Sequence, residues 1–167
     1  MVTPGDSVQT RILLVCMGNI CRSPMAHGMV RHRLRELRWQ ERVAVDSAGT
    51  HGYHAGSAPD ERAQAATARR GIDISDLRAR AVAAEDFTRF DLILAMDEDN
   101  LASLREAAAV EHRQKIHLFM EYAAGDAGRS VPDPYYGGPI GFERVLDMVE
   151  EATEGLLQRL QAGFDER

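Results

Sequence analysis

Cys16-Met17-Gly18-Asn19-Ile20-Cys21-Arg22-Ser23-Pro24 is the stretch on which this chain turns. It follows the apolar run Ile12-Leu13-Leu14-Val15 and precedes a helical pattern. A cysteine, five residues, then an arginine and a serine describe an oxyanion cradle with a nucleophile in it. Backbone N–H groups of such a loop converge on one tetrahedral anion, and the following helix turns its positive end to the same place. Arg22 adds a planar, bidentate fork. The same positive field favours the thiolate of Cys16 over the thiol. Gly18 and Asn19 are residue types that tolerate left-handed backbone, which an inward-folding loop requires. Ser23 suits the N-cap of the next helix, and Pro24 its first position.

Outward from the loop, the pattern is one of strands alternating with helices. Short apolar runs at Arg11–Cys16, Val43–Asp46, Asp91–Met96 and Lys115–Phe119 read as strands. Helical patterns cover Ser23 to Arg38, Ala58 to Arg70 with a stop at Gly71, Asp97 to Ala109, and Gly141 to Ala162. That alternation predicts an α/β fold with a parallel sheet covered on both faces. Ligands of such folds bind at the carboxyl ends of the strands, near the topological switch point. The cradle, the loop after the second strand, Met96-Asp97 and the segment Pro132-Asp133-Pro134-Tyr135-Tyr136 should therefore share one edge. Two prolines hold Asp133 on stiff, extended backbone, and a carboxyl group held over an anion cradle can serve as a general acid.

Bulk properties bound the rest. The chain has 167 residues with 44% hydrophobic and 28% charged, enough for one domain with a core. A net charge of -6 argues against nucleic acid as a partner. No apolar run approaches membrane-spanning length, so no membrane partner is expected. Residues 1–10 lack the features of a signal peptide and read as a disordered tail before a single domain over 11–167. Two cysteines inside one motif are not a disulfide scaffold, which points to a reducing, cytoplasmic setting. His51 and His54 lack further ligands at metal-site spacing, and no metal is expected. Asp97, Glu98 and Asp99 read as an acidic helix start, with Asp97 as cap. Arg31, Arg33, Arg35 and Arg38 read as a solvated face, with a docking patch for acidic peptides as the alternative.

Four segments in this order, Cys16–Pro24, Asp46-Ser47-Ala48-Gly49-Thr50, Met96-Asp97-Glu98-Asp99-Asn100 and Asp133-Pro134-Tyr135-Tyr136-Gly137, resemble the low-molecular-weight protein tyrosine phosphatases. The resemblance covers roughly residues 10 to 160. It implies a flavodoxin-like fold with a four-stranded parallel sheet and helices on both faces. It implies Cys16 as nucleophile, Arg22 as phosphate clamp and Asp133 as general acid, with Met17, Gly18, Asn19, Ile20, Cys21, Arg22 and Ser23 around the phosphate. Asn19 and Ser47 are then loop braces, and the Ser23 hydroxyl stabilises the thiolate. The implied reaction runs through a phosphocysteine and needs no cofactor, since the cradle supplies the positive field. Phosphotyrosine proteins are the implied partners, a tyrosine kinase among the candidates. Tyr53, Tyr135 and Tyr136 are candidate walls for a flat phosphotyrosine ring.

Several points stay open at this level. Relatives that act on phosphoarginine carry threonine where this chain has Ile20, which looks like the tyrosine-directed form. A thiol-dependent arsenate reductase shares the loop and fold, but its relay needs a third thiol and the chain has two. A phosphotyrosine-binding module without catalysis has no use for the nucleophile, arginine and acid together. Many relatives place a histidine some six residues after the glycine matching Gly71 to hold the loop asparagine; this chain has Leu77 there. Cys21 reads either as a small buried residue supporting the loop or as a redox partner of Cys16. The resemblance favours the pairing.

Overall fold

The computed structural model describes residues 8–124, 130–135 and 138–165. Its centre is a four-stranded, all-parallel sheet in the order β2-β1-β3-β4. The strands are β1 (Thr10–Cys16), β2 (Val43–Gly49), β3 (Leu92–Ala95) and β4 (Ile116–Leu118). The helices are α1 (Arg22–Glu36), α2 (Glu61–Ala68), α3 (Ala84–Arg89), α4 (Glu98–Ala107) and α5 (Gly138–Asp165). This is the flavodoxin-like α/β arrangement expected from the sequence.

The alternation along β1 decides the layers. Ile12 and Leu14 point into one core, shared with Met25, Val30, Phe142, Val149 and Leu156 from α1 and α5. Leu13 and Val15 point into the other, shared with Phe87, Leu101 and Leu104 from α3 and α4. All four β1 residues are fully buried, so the strand reads as a continuous apolar run, as a strand covered on both faces must. Each such side chain contributes about 1.5–3 kcal/mol of burial.

Topology then makes the site. From β1 the chain crosses to β2 on one side, and later returns past β1 to β3 on the other. The ends of β1 and β3 therefore flank the switch point, with Val15 beside Ala95 and the Met96 N–H donating to Val15 O at 2.9 Å. Whatever follows Cys16 must meet whatever follows Met96.

Several boundaries differ from the sequence expectation. β1 starts at Thr10, and the Gln9 N–H already donates to Arg42 O at 2.8 Å, so residues 9 and 10 join the sheet where the sequence reading had a tail; residues 1–7 lie outside the described residues. β2 continues to Gly49, because pairing with β1 carries it past its apolar residues; Ser47 is in the strand, not a loop. Helix α2 is shorter than read, since Pro59 and the Asp60 cap set its start at Glu61. Helix α5 is longer, Gly138–Asp165. The sequence reading missed α3, a six-residue helix too short for a periodic signal, and the 3-10 turns at Val110–Lys115 and Phe119–Tyr122. On α1, Arg31 pairs with Asp76 and Arg33 with Glu154 and Glu36, so half of the basic face is already matched by acids.

Candidate active site

The cradle begins where β1 ends. Cys16 closes the strand, 3% exposed, with its carbonyl accepting from the Thr50 N–H. The loop then turns on Asn19, whose φ of 58° is left-handed; Gly18 does not need that region, contrary to the sequence expectation. Gly18 is instead tight against His54, whose ring carbon stands 3.0 Å from where a Cβ would be. The Asn19 N–H points back at Cys16 Sγ at 3.2 Å.

Helix α1 starts two residues earlier than the Ser23 cap would place it. Arg22 is its first residue and Cys21 its N-cap, with no side-chain cap bond. Ser23 is thus not the cap, and Pro24 stands third. The turn frees the Ser23 hydroxyl for the sulfur: Ser23 Oγ lies 3.0 Å from Cys16 Sγ and accepts from Asn19 Nδ2 at 2.8 Å. Two hydrogen-bonding groups, the Asn19 amide and the Ser23 hydroxyl, therefore bracket one sulfur from different turns of chain.

Asn19 is itself held from outside the loop. Its Oδ1 accepts from the backbone N–H of Arg80 at 3.0 Å. The Arg80 guanidinium is gripped by Asp46 at 3.0 Å and Asp86 at 2.9 Å, which fixes the amide. No histidine stands at Leu77, where the resemblance led one to be expected; Leu77 here packs against the core. A histidine is nonetheless present nearby, from another element. His27 on α1 has its Nδ1 2.9 Å from Ser47 Oγ. Ser47, expected to brace the loop, thus spends its hydroxyl on His27. Burial, offset in part by Asp46, lowers the His27 pKa to about 4, so the ring is neutral at pH 7.

Arg22 is 4% exposed and aimed by groups the loop does not contain. Its Nη1 donates to Asp97 Oδ2 at 2.5 Å and to Val131 O at 3.0 Å. Its Nη2 is 3.8 Å from Asp133 Oδ2. Asp97 also caps α4 through the Asn100 N–H at 2.7 Å, as expected, but its second oxygen tethers the arginine. Reading Asp97 only as an acidic helix start missed that role. The sheet order, which sets β3 beside β1, was the signal that could have found it.

A cavity of about 190 Å³ opens between these parts. Cys16, Met17, Gly18, Ile20, Cys21 and Arg22 line it from the cradle, with Asp133, Tyr135 and His54 opposite. Asp133 and Tyr135 are 41% and 39% exposed, so the cavity runs from a buried sulfur to a wet rim. Tyr53, a candidate wall, does not line it: it is 81% exposed and stacks on His51, ring centroids 5.4 Å apart. His54 stands in its place. Tyr136 lies outside the described residues. Both cysteines are free thiols, and burial, with Asp60 adding to it, pushes the Cys21 pKa up to about 12.

Known proteins share this arrangement. A family model described as low molecular weight phosphotyrosine protein phosphatase matches residues 11–165. A low-molecular-weight protein-tyrosine-phosphatase of Streptomyces coelicolor is 42% identical over 160 residues, 94% of this chain and 97% of that protein. A low molecular weight phosphotyrosine protein phosphatase of Homo sapiens is 40% identical over 159 residues, 93% and 98% of the two. Among solved structures, a protein tyrosine phosphatase from Entamoeba histolytica superposes with a TM-score of 0.89 at 39% identity, covering 92% of this chain and 98% of that one. With the loop, the fold and these relatives in agreement, the chain belongs to the low-molecular-weight protein-tyrosine phosphatases.

Proposed function

We propose that this protein hydrolyses phosphotyrosine in proteins, with Cys16 as nucleophile, Arg22 as phosphate clamp and Asp133 as general acid and base. The observation that carries the reading is one cavity bounded by Cys16, Arg22 and Asp133, with Arg22 Nη2 3.8 Å from the Asp133 carboxylate.

The Cys16 thiolate attacks phosphorus in line. An S–P bond forms, the P–O bond to the tyrosine breaks, and Asp133 delivers its proton to the departing phenolate oxygen. Asp133, now ionised, takes a proton from water as that water attacks the phosphocysteine, and phosphate and the thiolate are released. The Arg22 fork and the loop amides hold the three equatorial oxygens, where the charge must be stabilised. Ser23 Oγ, 3.0 Å from the sulfur, stabilises the thiolate both as attacking and as leaving group. Asn19 holds Ser23 in place; Ser47 supports the cradle through His27 on α1.

A buried sulfur at the inner end of the cavity favours a long, flat phosphoester. Ile20 and Tyr135 offer apolar wall, and His54 a polar edge. Phosphotyrosine segments of proteins are thus the substrates. Two free thiols accord with a cytoplasmic setting, and among the described residues no helix is long and apolar enough to cross a membrane. Peroxide, by oxidising Cys16 to a sulfenic acid, would let the Cys21 thiol displace water and form a reducible Cys16–Cys21 bond.

The test is release of inorganic phosphate, without added metal, from peptides carrying phosphotyrosine, phosphoserine or phosphoarginine. Phosphotyrosine is expected to lead in kcat/KM. Comparable values for phosphoserine would overturn the depth reading, and a lead for phosphoarginine would overturn the assignment of Ile20.

A further inference from the structure

Asp133 hangs between two anchor points that differ in kind. On its N-terminal side, Val131 is fixed twice: its N–H donates to Met96 O at 2.7 Å, and its C=O accepts from Arg22. Val131 is fully buried. On its C-terminal side, Pro134 is buried beside Gly141 of α5, and Tyr135 beyond it is held by a surface side chain. Arg62 Nη1 donates to Tyr135 O at 2.9 Å, and the guanidinium lies 5.2 Å from the Tyr135 ring centroid and 4.9 Å from that of Phe142. The Tyr135 N–H in turn donates to Asp133 Oδ1 at 3.0 Å, so the position of Tyr135 sets the direction of the carboxyl group.

Arg62 is not free to wander. Asp60 accepts from its Nη2 at 2.9 Å and its Nε at 3.1 Å, a two-point grip that aims Nη1 at Tyr135. Asp60 also belongs to the cradle side, since its own N–H donates to Ile20 O at 2.8 Å. A continuous path runs from the nucleophile loop through Ile20 O, Asp60, Arg62 and Tyr135 O to the acid. Pro132 and Pro134 stiffen the backbone on either side of Asp133, so a shift at Tyr135 reaches the carboxyl group through the Tyr135 N–H that it accepts from.

We propose that Arg62 is a positioning residue that latches the Asp133 segment to the cradle and sets the distance between general acid and nucleophile. It touches neither phosphorus nor sulfur. Its effect passes through Asp133, and the inference therefore rests on the acid role proposed above. An acid displaced by an ångström loses much of its advantage while binding of the phosphate group is left intact. Arginine is required because one planar group must face Asp60, the Tyr135 carbonyl and two rings together.

The experiment uses Arg62→Met, which keeps an apolar side chain beside Phe142 without the guanidinium, and Arg62→Lys, which keeps the charge without the fork. The Asp60 cap survives both, because Asp60 Oδ1 also accepts from the backbone N–H of Arg62. Each variant is assayed on a phosphotyrosine peptide and on an aryl phosphate with a strongly acidic phenol, with inhibition by inorganic phosphate measured alongside. Arg62→Met should lose on the order of 10-fold or more in kcat on the phosphotyrosine peptide, little on the activated ester, and nothing in phosphate inhibition. Arg62→Lys should fall between. In an Asp133→Asn background, Arg62→Met should cost almost nothing further. Equal losses on both substrates, or a full additional loss in the Asp133→Asn background, would overturn the latch. If Asp133→Asn itself shows no dependence on the leaving group, the acid role has failed and the latch falls with it. If Asp133→Asn discriminates and Arg62→Met does not, the latch alone fails.

Discussion

The two sides of the cavity are built on different principles. The cradle side is buried and cross-braced: Cys16, Asn19, Arg22 and Ser23 are all under 5% exposed, and their partners come from β1, α1, the segment at Arg80 and the start of α4. The acid side is half in water. The Asp133 side chain is 41% exposed; its backbone runs between buried Val131 and Pro134, and its carboxyl group is oriented by Tyr135, which the surface residue Arg62 holds. The contrast follows from the chemistry. The cradle meets the same three phosphoryl oxygens in every step, so it gains from being fixed before substrate arrives. The acid has to give a proton to one oxygen and later take one from a water, and a phosphotyrosine side chain has to pass it on the way in. One side is preorganised by burial, the other by a few polar ties at the rim.

The comparison predicts that damage on the two sides will look different. The largest effect is Cys16→Ser. Turnover should vanish, because a serine hydroxyl here has no adjacent base, while inorganic phosphate still raises the melting temperature. Turnover clearly above background would remove Cys16 as nucleophile. Next is Asp133→Asn, which should slow phosphotyrosine by on the order of 10²–10⁴, since its phenol has a pKa of about 10. An ester with a much more acidic phenol should suffer less, and equal losses would argue against the acid role.

Asn19→Ala should cost on the order of 10²-fold, and here the leaving group should make no difference. The change removes the tie between Arg80 and Ser23 and leaves alanine at a φ of 58°. Both substrates should fall together, with a loss of stability of about 1–3 kcal/mol from strain and broken bonds. Discrimination between substrates in this variant would erase the distinction between the two sides.

The smallest expected effect concerns His27 and is read as stability against pH. Its pKa falls from 6.5 in the unfolded chain to about 4 when folded, so between those values the unfolded state binds the extra proton. Stability from this group is complete above about pH 6.5 and is lost as pH falls toward about 4, on the order of 1–3 kcal/mol in total. In denaturant melts, His27→Gln should flatten the slope between those limits. An unchanged slope would show that His27 titrates normally and does not hold Ser47 as a neutral ring.

The parts legible in the sequence are those whose physical cause is local. The four-residue apolar run of β1, the left-handed asparagine in the cradle, the capping aspartate of α4 and the proline-flanked Asp133 each carry their reason within a few neighbours, whereas Gly18 is fitted to the distant His54. The sequence therefore determined the fold class, the cradle and the identity of the nucleophile, clamp and acid candidates. The residues alone placed Ser23 at a cap, because a serine before a proline suits one, while the family resemblance placed its hydroxyl beside the thiolate; in the structure Cys21 is the cap and Ser23 Oγ lies 3.0 Å from the sulfur, a choice that depends on where the loop closes.

Tertiary structure decided what holds those groups. Arg22 meets Asp97 across 75 positions, Asn19 meets Arg80 across 61, and Tyr135 meets Arg62 across 73. Each contact exists because the order β2-β1-β3-β4 brings distant strand ends to one edge. Two of the three use a backbone group, the Arg80 amide and the Tyr135 carbonyl, and any residue type supplies a backbone carbonyl while any but proline supplies an amide. A brace made by a side chain leaves a residue to recognise, as the expected histidine near Leu77 would have. A brace made by the main chain leaves none, and only the folded arrangement reveals it.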